Sequence, residues 1–437
     1  METKPNINRF RREVYQNLDR RSDSGIELID ALSSAVVVES PVALSESPLF
    51  QRVFSSVYDF LNNGRINLAQ QRRTQYRNQP ETAQRIGGYE LYAVDCTEEP
   101  HAEAKTLPDR SQSRKGRGAP LVIGHRYSWL ARVVQERTSW CMPMDIERVA
   151  TTDTDSAVGA RQVEALDKLS DKPKVVVADS LYGNTVFLQV FLLVSTVFAL
   201  VRLRSNRVLY EEPEPREPKA RGRPRKHGRK FKLSAPWRPP DQTETTTLLG
   251  QQIRLQAWHG LHFYQLPFLV GLALCIEFLK ADGTPRFKRP LYLFWTGPTA
   301  TSLSDLCRMY LWRFAIEHMF RFLKQHMGLN CSRSPSLQHH QRWLWCCAIA
   351  YTQLLLIRDD VVNQRPPWHP THVRGNPKSM TPRQVQRQAL SFLLNLGTPA
   401  STPQPAGKGR GRQHGYRPKP RPRYAVVKKS KKRRKAA

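Results

Sequence analysis

Apolar residues recur at helical spacing early in the chain, at Ile26, Ile29 and Leu32 and again at Leu49, Val53, Val57 and Phe60. Steps of three and four put such residues on one face, so residues 1–85 are predicted to form amphipathic helices packed as a small bundle. From residue 89 the period becomes that of strands, over 89–95, 121–134 and, more weakly, 140–149. A helical stretch follows at 159–170. Residues 174–179, Lys-Val-Val-Val-Ala-Asp, form a β-branched run of the kind buried on both faces of a sheet. The apolar run 186–201 contains Gln189, Ser195 and Thr196, and its 16 residues are short for a bilayer, which takes ~20. It is predicted to be a buried helix leading into a strand. Three strands, a helix, a strand, a helix and a strand make an α/β fold, a mixed sheet flanked by helices, the economical arrangement.

After Arg204 the chain turns polar and Pro-rich, then resumes as strands over 248–255, 258–266, 270–279 and Leu291–Trp295, with a turn at Ala281-Asp282-Gly283-Thr284. This reads as a β-rich insertion. A helix begins at Ser302, with Asp305 three residues on as a capping-box acid. It carries Tyr310, Arg313, Glu317 and Lys324. At ~3.6 residues per turn, 310, 317 and 324 share one face and 313 lies beside them. An apolar helix follows over 337–358 and a shorter one over 382–394. Pro, Gly, Lys and Arg dominate from residue 365, so the last ~40 residues are predicted to be largely disordered.

The formal charge is +32, and residues 402–437 hold fourteen Lys and Arg and no acid, which leaves +18 on the remainder. Both parts call for a polyanionic partner, nucleic acid ahead of a membrane surface. The seven cysteines form no C-x-x-C pair and no finger-like array, which points to a reducing compartment and away from a zinc module. No apolar signal core follows Arg9–Arg12, so secretion is not expected. The segment Arg221-Gly222-Arg223-Pro224-Arg225-Lys226 has two readings, an extended insert for a narrow minor groove or a solvated basic loop. Residues 105–118, with Arg110, Arg114, Lys115 and Arg117, follow the first strand and are predicted to contact DNA.

Three acids stand where strands or helices present them. Asp95 ends the first strand, Asp179 ends the run at 174–179, and Glu317 lies on the late helix. Singly they read as a turn acid, a helix cap and one half of an i±4 ion pair. Together they suggest a site at the edge of the sheet, because strand ends border the crevices of open α/β sheets. Three hard oxygen ligands favour Mg²⁺ or Mn²⁺, and two such ions ~4 Å apart suit in-line phosphoryl transfer. His318 points ~100° away from Glu317 on a helix, so no metal role is expected for it.

Tyr310, Arg313, Glu317 and Lys324 match without a gap the Tyr, two, Arg, three, Glu, six, Lys signature of one branch of bacterial insertion-sequence transposases of the Asp-Asp-Glu (DDE) class. Asp179-Ser180-Leu181-Tyr182-Gly183 resembles that family's second-aspartate motif, and Asp95 resembles its first. The 138 positions from Asp179 to Glu317 leave room for the β insertion of the same branch. The resemblance spans roughly residues 85–358 and implies a ribonuclease-H-like core. Asp95, Asp179 and Glu317 would hold two Mg²⁺ ions, with Mn²⁺ as a substitute. Tyr182, Tyr310, Arg313 and Lys324 would contact DNA, as would Arg221 and Arg223. Tyr292 falls where the family carries a Trp that stacks on a flipped base, a departure for which Trp258 and Trp295, both read as core, are the other aromatics to consider.

The implied division is a helical DNA-binding domain (1–85), a catalytic core in two parts (86–204 and 297–360) split by the insertion (205–296), and a basic extension (361–437). The implied function is binding of inverted-repeat ends, hydrolysis there, and strand transfer to target DNA, by a homodimer on double-stranded DNA in the bacterial cytoplasm, without a membrane. The last Lys/Arg run reads as a non-specific DNA tether. The other readings are a DNA-binding protein that no longer cleaves and a structure-selective nuclease.

Overall fold

The computed structural model describes residues 5–114, 118–135, 139–215, 223–361, 380–405, 411 and 413–428. Four helices open it: α1 (Pro5–Asn17), α2 (Ser22–Ser34), α3 (Ser55–Asn63) and α4 (Leu68–Arg77), with strands β1 (Leu18–Arg20) and β2 (Arg65–Ile66) paired between them. They do not close on themselves. α2 is buried from Ser24 to Ser33 because the long apolar helix Leu337–Ile357 packs against it.

The hairpin from β3 (Arg85–Ile86) to β4 (Tyr89–Pro100) begins the main sheet. β5 (Ser111–Ser113), β6 (Val122–Val133) and β7 (Cys141–Val149) follow, then α5 (Asp155–Asp167), β8 (Lys174–Ala178), α6 (Thr185–Leu188) with a 3₁₀ turn, and β9 (Val197–Leu203). β4, β6 and β7 form an antiparallel meander, and β8 runs parallel to both β4 and β9. The order β7-β6-β4-β8-β9, flanked by helices, is consistent with a ribonuclease-H-like fold. Every residue of β8 is buried, as its unbroken β-branched run requires. The run 186–201 supplies only one short turn of α-helix before the strand, and among the described residues no helix is long and apolar enough to cross a membrane.

The insertion comprises β10 (Val208–Glu211), β11 (Lys230–Lys232), β12 (Gln242–Leu248), β13 (Gln251–Phe263), β14 (Leu266–Phe278) and β15 (Leu291–Trp295). β15 pairs antiparallel with β9, Trp295 opposite Leu200, so the insertion prolongs the core sheet. The strand expected over 248–255 is broken near its start by a hairpin turn at 249–250, and its remainder, 251–255, runs on with the next predicted strand as one, β13. Leu249 and Gly250 both take positive φ, 59° and 73°, which the tight two-residue turn between β12 and β13 demands. Leucine is unusual there, which is why the turn was not legible.

The chain ends with α7 (Leu303–Trp312), α8 (Ala315–His326), α9 (Leu337–Ile357) and α10 (Pro382–Leu396). The Ser302 side chain accepts from the Asp305 N–H and starts α7 as expected. The single helix predicted through 310–324 is two helices. Arg313 N–H donates to Tyr310 O and Phe314 N–H to Leu311 O, and these i→i−3 bonds tighten the backbone between α7 and α8. The tail also departs from its composition. Tyr424 N–H donates to Lys105 O and Val427 N–H to Arg110 O, so residues 424–427 are docked where disorder was expected.

A buried ion pair ties the N-terminal helices to the late ones. Arg11 of α1 pairs with Asp30 of α2 and donates to Gly397 O after α10 at 2.7 Å, while Gln353 of α9 donates to Asp30 at 3.1 Å. Removing one partner leaves a charge stranded in the core, so Arg11→Ala is expected to cost ~3–5 kcal/mol in urea unfolding. Arg11→Met/Asp30→Asn, which removes both charges, is expected to recover most of that loss.

Candidate active site

Strand register brings the first two acids together. Val94 and Ala178 are partners on the parallel strands β4 and β8, so Asp95 and Asp179 stand one step beyond them on adjacent strands, ~4.8 Å apart across the sheet. Asp95 Oδ1 accepts from the Cys96 N–H at 2.8 Å, and Asp179 Oδ1 accepts from the Leu181 N–H at 2.8 Å. The second bond closes an Asx turn that ends the strand. Each carboxylate thus has one oxygen held by the backbone.

Glu317 arrives from the first turn of α8, where the helix dipole favours an acid. Arg313 joins it to the sheet, with Nη1 3.3 Å from Asp95 Oδ2 and Nη2 2.8 Å from Glu317 Oε1. The break between α7 and α8 places this guanidinium between the two carboxylates. Tyr310 is buried, with the Arg313 guanidinium 5.9 Å from its ring centroid. The three acids and Lys324 line one cleft of about 760 Å³, together with Arg114, Arg126, Arg204 and Arg321. Burial pushes the Asp95 carboxyl up to about 6. Arg313 opposes that shift, and the nearby charges of Asp179 and Glu317 add to it. Desolvation is the largest of these effects and outweighs the pull of the guanidinium.

A second cleft of about 780 Å³ adjoins the first, since Ser180 and Arg204 line both. Arg202, Lys288, Arg289 and Tyr292 also line it. Tyr292 is largely buried in β15, opposite Cys275, and presents only its margin. Trp258 and Trp295 are core, as read from sequence.

Several predicted DNA contacts lie elsewhere. Tyr182 is fully buried, its hydroxyl 3.3 Å from Cys96 Sγ and its ring packed on Phe187, so it supports the loop after Asp179 and cannot touch DNA. Arg110 is buried too, because its guanidinium donates to the carbonyls of Leu107, His101, Ala102 and Tyr424. Arg223 is exposed and lines a separate cleft beside Glu212 and Trp237, away from the acids. Arg221, Lys115 and Arg117 lie outside the described residues. His318 packs edge-on to Phe314. Sequence reading missed Arg204, Lys288 and Arg289; their one signal is position, just past β9 and just before β15.

Residues 13–262, more than half of the chain, match the sequence profile of the DDE superfamily endonuclease family. The chain belongs to this family. Membership carries a nuclease-type enzyme of transposase-like kind with DNA as its substrate, and enzymes of the DDE superfamily use divalent metals. The match contains Asp95 and Asp179 and ends before Glu317, which joins them by geometry alone. No curated protein matches the chain.

A carboxyl whose pKa is raised by folding costs stability as pH climbs through the shifted value and costs nothing below its ordinary one. Asp95→Asn is therefore expected to stabilise this DDE-family chain by up to ~3 kcal/mol at pH 8 without metal. Urea unfolding at stepped pH should show the gain fading between pH 6 and 4.

Proposed function

We propose that the chain is a DNA transposase that binds the inverted-repeat ends of its own element, hydrolyses the phosphodiester there, and joins the freed 3′ hydroxyl to target DNA. The observation that carries this reading is the meeting of three acids from distant parts of the chain at one basic cleft, two by strand register and the third through Arg313. The residues fit divalent cations. Three carboxylates supply hard oxygens, and the raised pKa of Asp95 marks a site that a doubly charged ion would relieve. Asp95, Asp179 and Glu317 would hold two Mg²⁺, or Mn²⁺ in substitution, and the ions would supply charge stabilisation for an in-line displacement at phosphorus.

The chain's own cations do the positioning. The fork of Arg313 suits two oxygens of one phosphate, and Lys324 adds a point charge on the same wall of the cleft. Tyr310 backs the Arg313 side chain from beneath. Arg204 sits where the two clefts meet, and Lys288 and Arg289 continue the positive surface toward the insertion. A DNA end laid along both clefts would place its cleaved bond at the acids and its flanking strand against the insertion, with the Tyr292 margin in reach of a base. The helices of residues 1–85 would bind the end sequence, and pairing two ends would take two copies of the chain.

A supercoiled donor plasmid carrying the inverted repeats, with Mg²⁺ and purified protein, tests the reading. End-specific nicking and strand transfer are expected. Asp179→Asn and Glu317→Gln should each lower both by ~10³-fold or more, as loss of several kcal/mol of transition-state stabilisation requires, while leaving end binding in place. Cleavage of branched DNA without regard to the ends would make the chain a structure-selective nuclease, and end binding with no cleavage in either metal would make it a DNA-binding derivative.

Lys288→Ala/Arg289→Ala should weaken binding of the ends evenly across sequences. The slope of log affinity against log salt should fall by about two, one for each phosphate contact removed.

A further inference from the structure

Past the acids, β4 leads into a second cluster. Glu99 and His125 are direct cross-strand partners on β4 and β6, which puts their side chains on one face of the sheet. His101 follows Glu99 by two residues, and its N–H donates to Ile123 O at 2.8 Å, so it lies beside the same pair. Gly124 permits this approach. A Cβ there would lie 2.0 Å from Glu99 O and 2.9 Å from the His101 nitrogen, closer than any side chain tolerates. Glu99, His101 and His125 are 1%, 3% and 2% exposed. One ligand-type atom from each lies within 4.8 Å of the others.

These atoms lack the hydrogen bonds that burial calls for. His125 Nε2 faces Pro108 O at 2.9 Å, an oxygen that can only accept, so Nε2 carries the proton and Nδ1 the lone pair. His125 Nδ1 is buried without a hydrogen-bond partner, and Glu99 Oε2 and His101 Nε2 have only each other, 3.3 Å apart. Buried polar atoms so sparsely satisfied are rare and need a reason. Here they meet at one point. His340 of α9 completes the surroundings. Its ring nitrogens lie 2.9 Å from Glu99 Oε1 and 2.8 Å from Ser334 O, which holds the carboxylate from behind. Ligating carboxylates are held in this manner by an outer ring of donors.

We propose that Glu99, His101 and His125 bind one zinc ion, which pins the end of β4 to β6 and to the loop that carries Arg114 into the acidic cleft. Two imidazoles and one carboxylate suit Zn²⁺ in preference to Mg²⁺, with a water as fourth ligand. No cysteine takes part, so the absence of finger spacing is no obstacle. The site stands apart from the acids, since Asp95 lies four residues back along β4, ~13 Å at strand rise. It does not depend on the transposase reading.

Metal analysis of the purified full chain, before and after chelator treatment and readdition of Zn²⁺ alone, tests the proposal. About one zinc per chain is expected, with a rise of ~3 °C or more in melting temperature when zinc is restored. Co²⁺ in its place should give the visible absorption of a low-coordinate nitrogen and oxygen site. His101→Gln and His125→Gln should lose the metal and the thermal shift together, whereas Asp179→Asn should keep both. If the chelator-treated wild-type chain neither binds zinc nor gains thermal stability from it, the proposal fails, and the cluster is a histidine network around water. Equal zinc binding by His101→Gln, His125→Gln and wild-type chains would overturn it as well.

Discussion

The parallel register between β4 and β8 is the constraint on which the rest depends. With Val94 opposite Ala178, the next residue on each chain is an aspartate; β8 ends there, while β4 runs on to Pro100 paired with β6, so Asp95 lies within its strand and not at its end as expected. A slip of one residue would turn one carboxylate to the other face of the sheet. The register is held by burial on both sides. β8 is wholly buried between β4 and β9, and α5 and the late helices cover the two faces. The energy that aligns two charged groups is therefore hydrophobic.

The third acid is placed differently, and more softly. Glu317 is tied to the sheet by a guanidinium at the junction of two helices, and its side chain is more exposed than that of either Arg313 or Asp95. The same groups that fix it are ones a phosphate would compete for. A framework rigid on two sides and adjustable on the third suits chemistry in which a polyanion enters a site already crowded with carboxylates.

The sheet and the site were legible in the sequence to different degrees. Strong periods gave the right elements for β4, β6, β8, β15 and α9, because these are buried on one or both faces and their patterns carry little else. The meeting of Asp95 and Asp179 was legible because each follows an apolar run on a strand, although Asp95 proves to lie inside β4, which continues to Pro100, and only Asp179 stands past its strand's end. What escaped notice depended on contacts between remote segments. The spacing of Tyr310, Arg313 and Glu317 describes an ideal helix and cannot show that the backbone tightens between them. Tyr182 looked available within its motif, yet Gly159 of α5 leaves room for its ring and the core takes it in; a Cβ at that glycine would sit 2.8 Å from the Tyr182 ring. Glu99-Pro100-His101 had a visible cue, two polar residues at strand spacing beyond an apolar stretch, but their partner His125 is defined only by pairing.

The junction of β15 with β9 has a mechanical consequence. Because backbone hydrogen bonds run without interruption from the strand that follows Asp179 into the insertion, the insertion cannot swing on a linker as a tethered module would. The span from the acidic cleft to Lys288 and Tyr292 is a fixed length, set by strand spacing. The protein thus carries a ruler in its main chain, one whose scale is set by strand pairing and not by the reach of a linker.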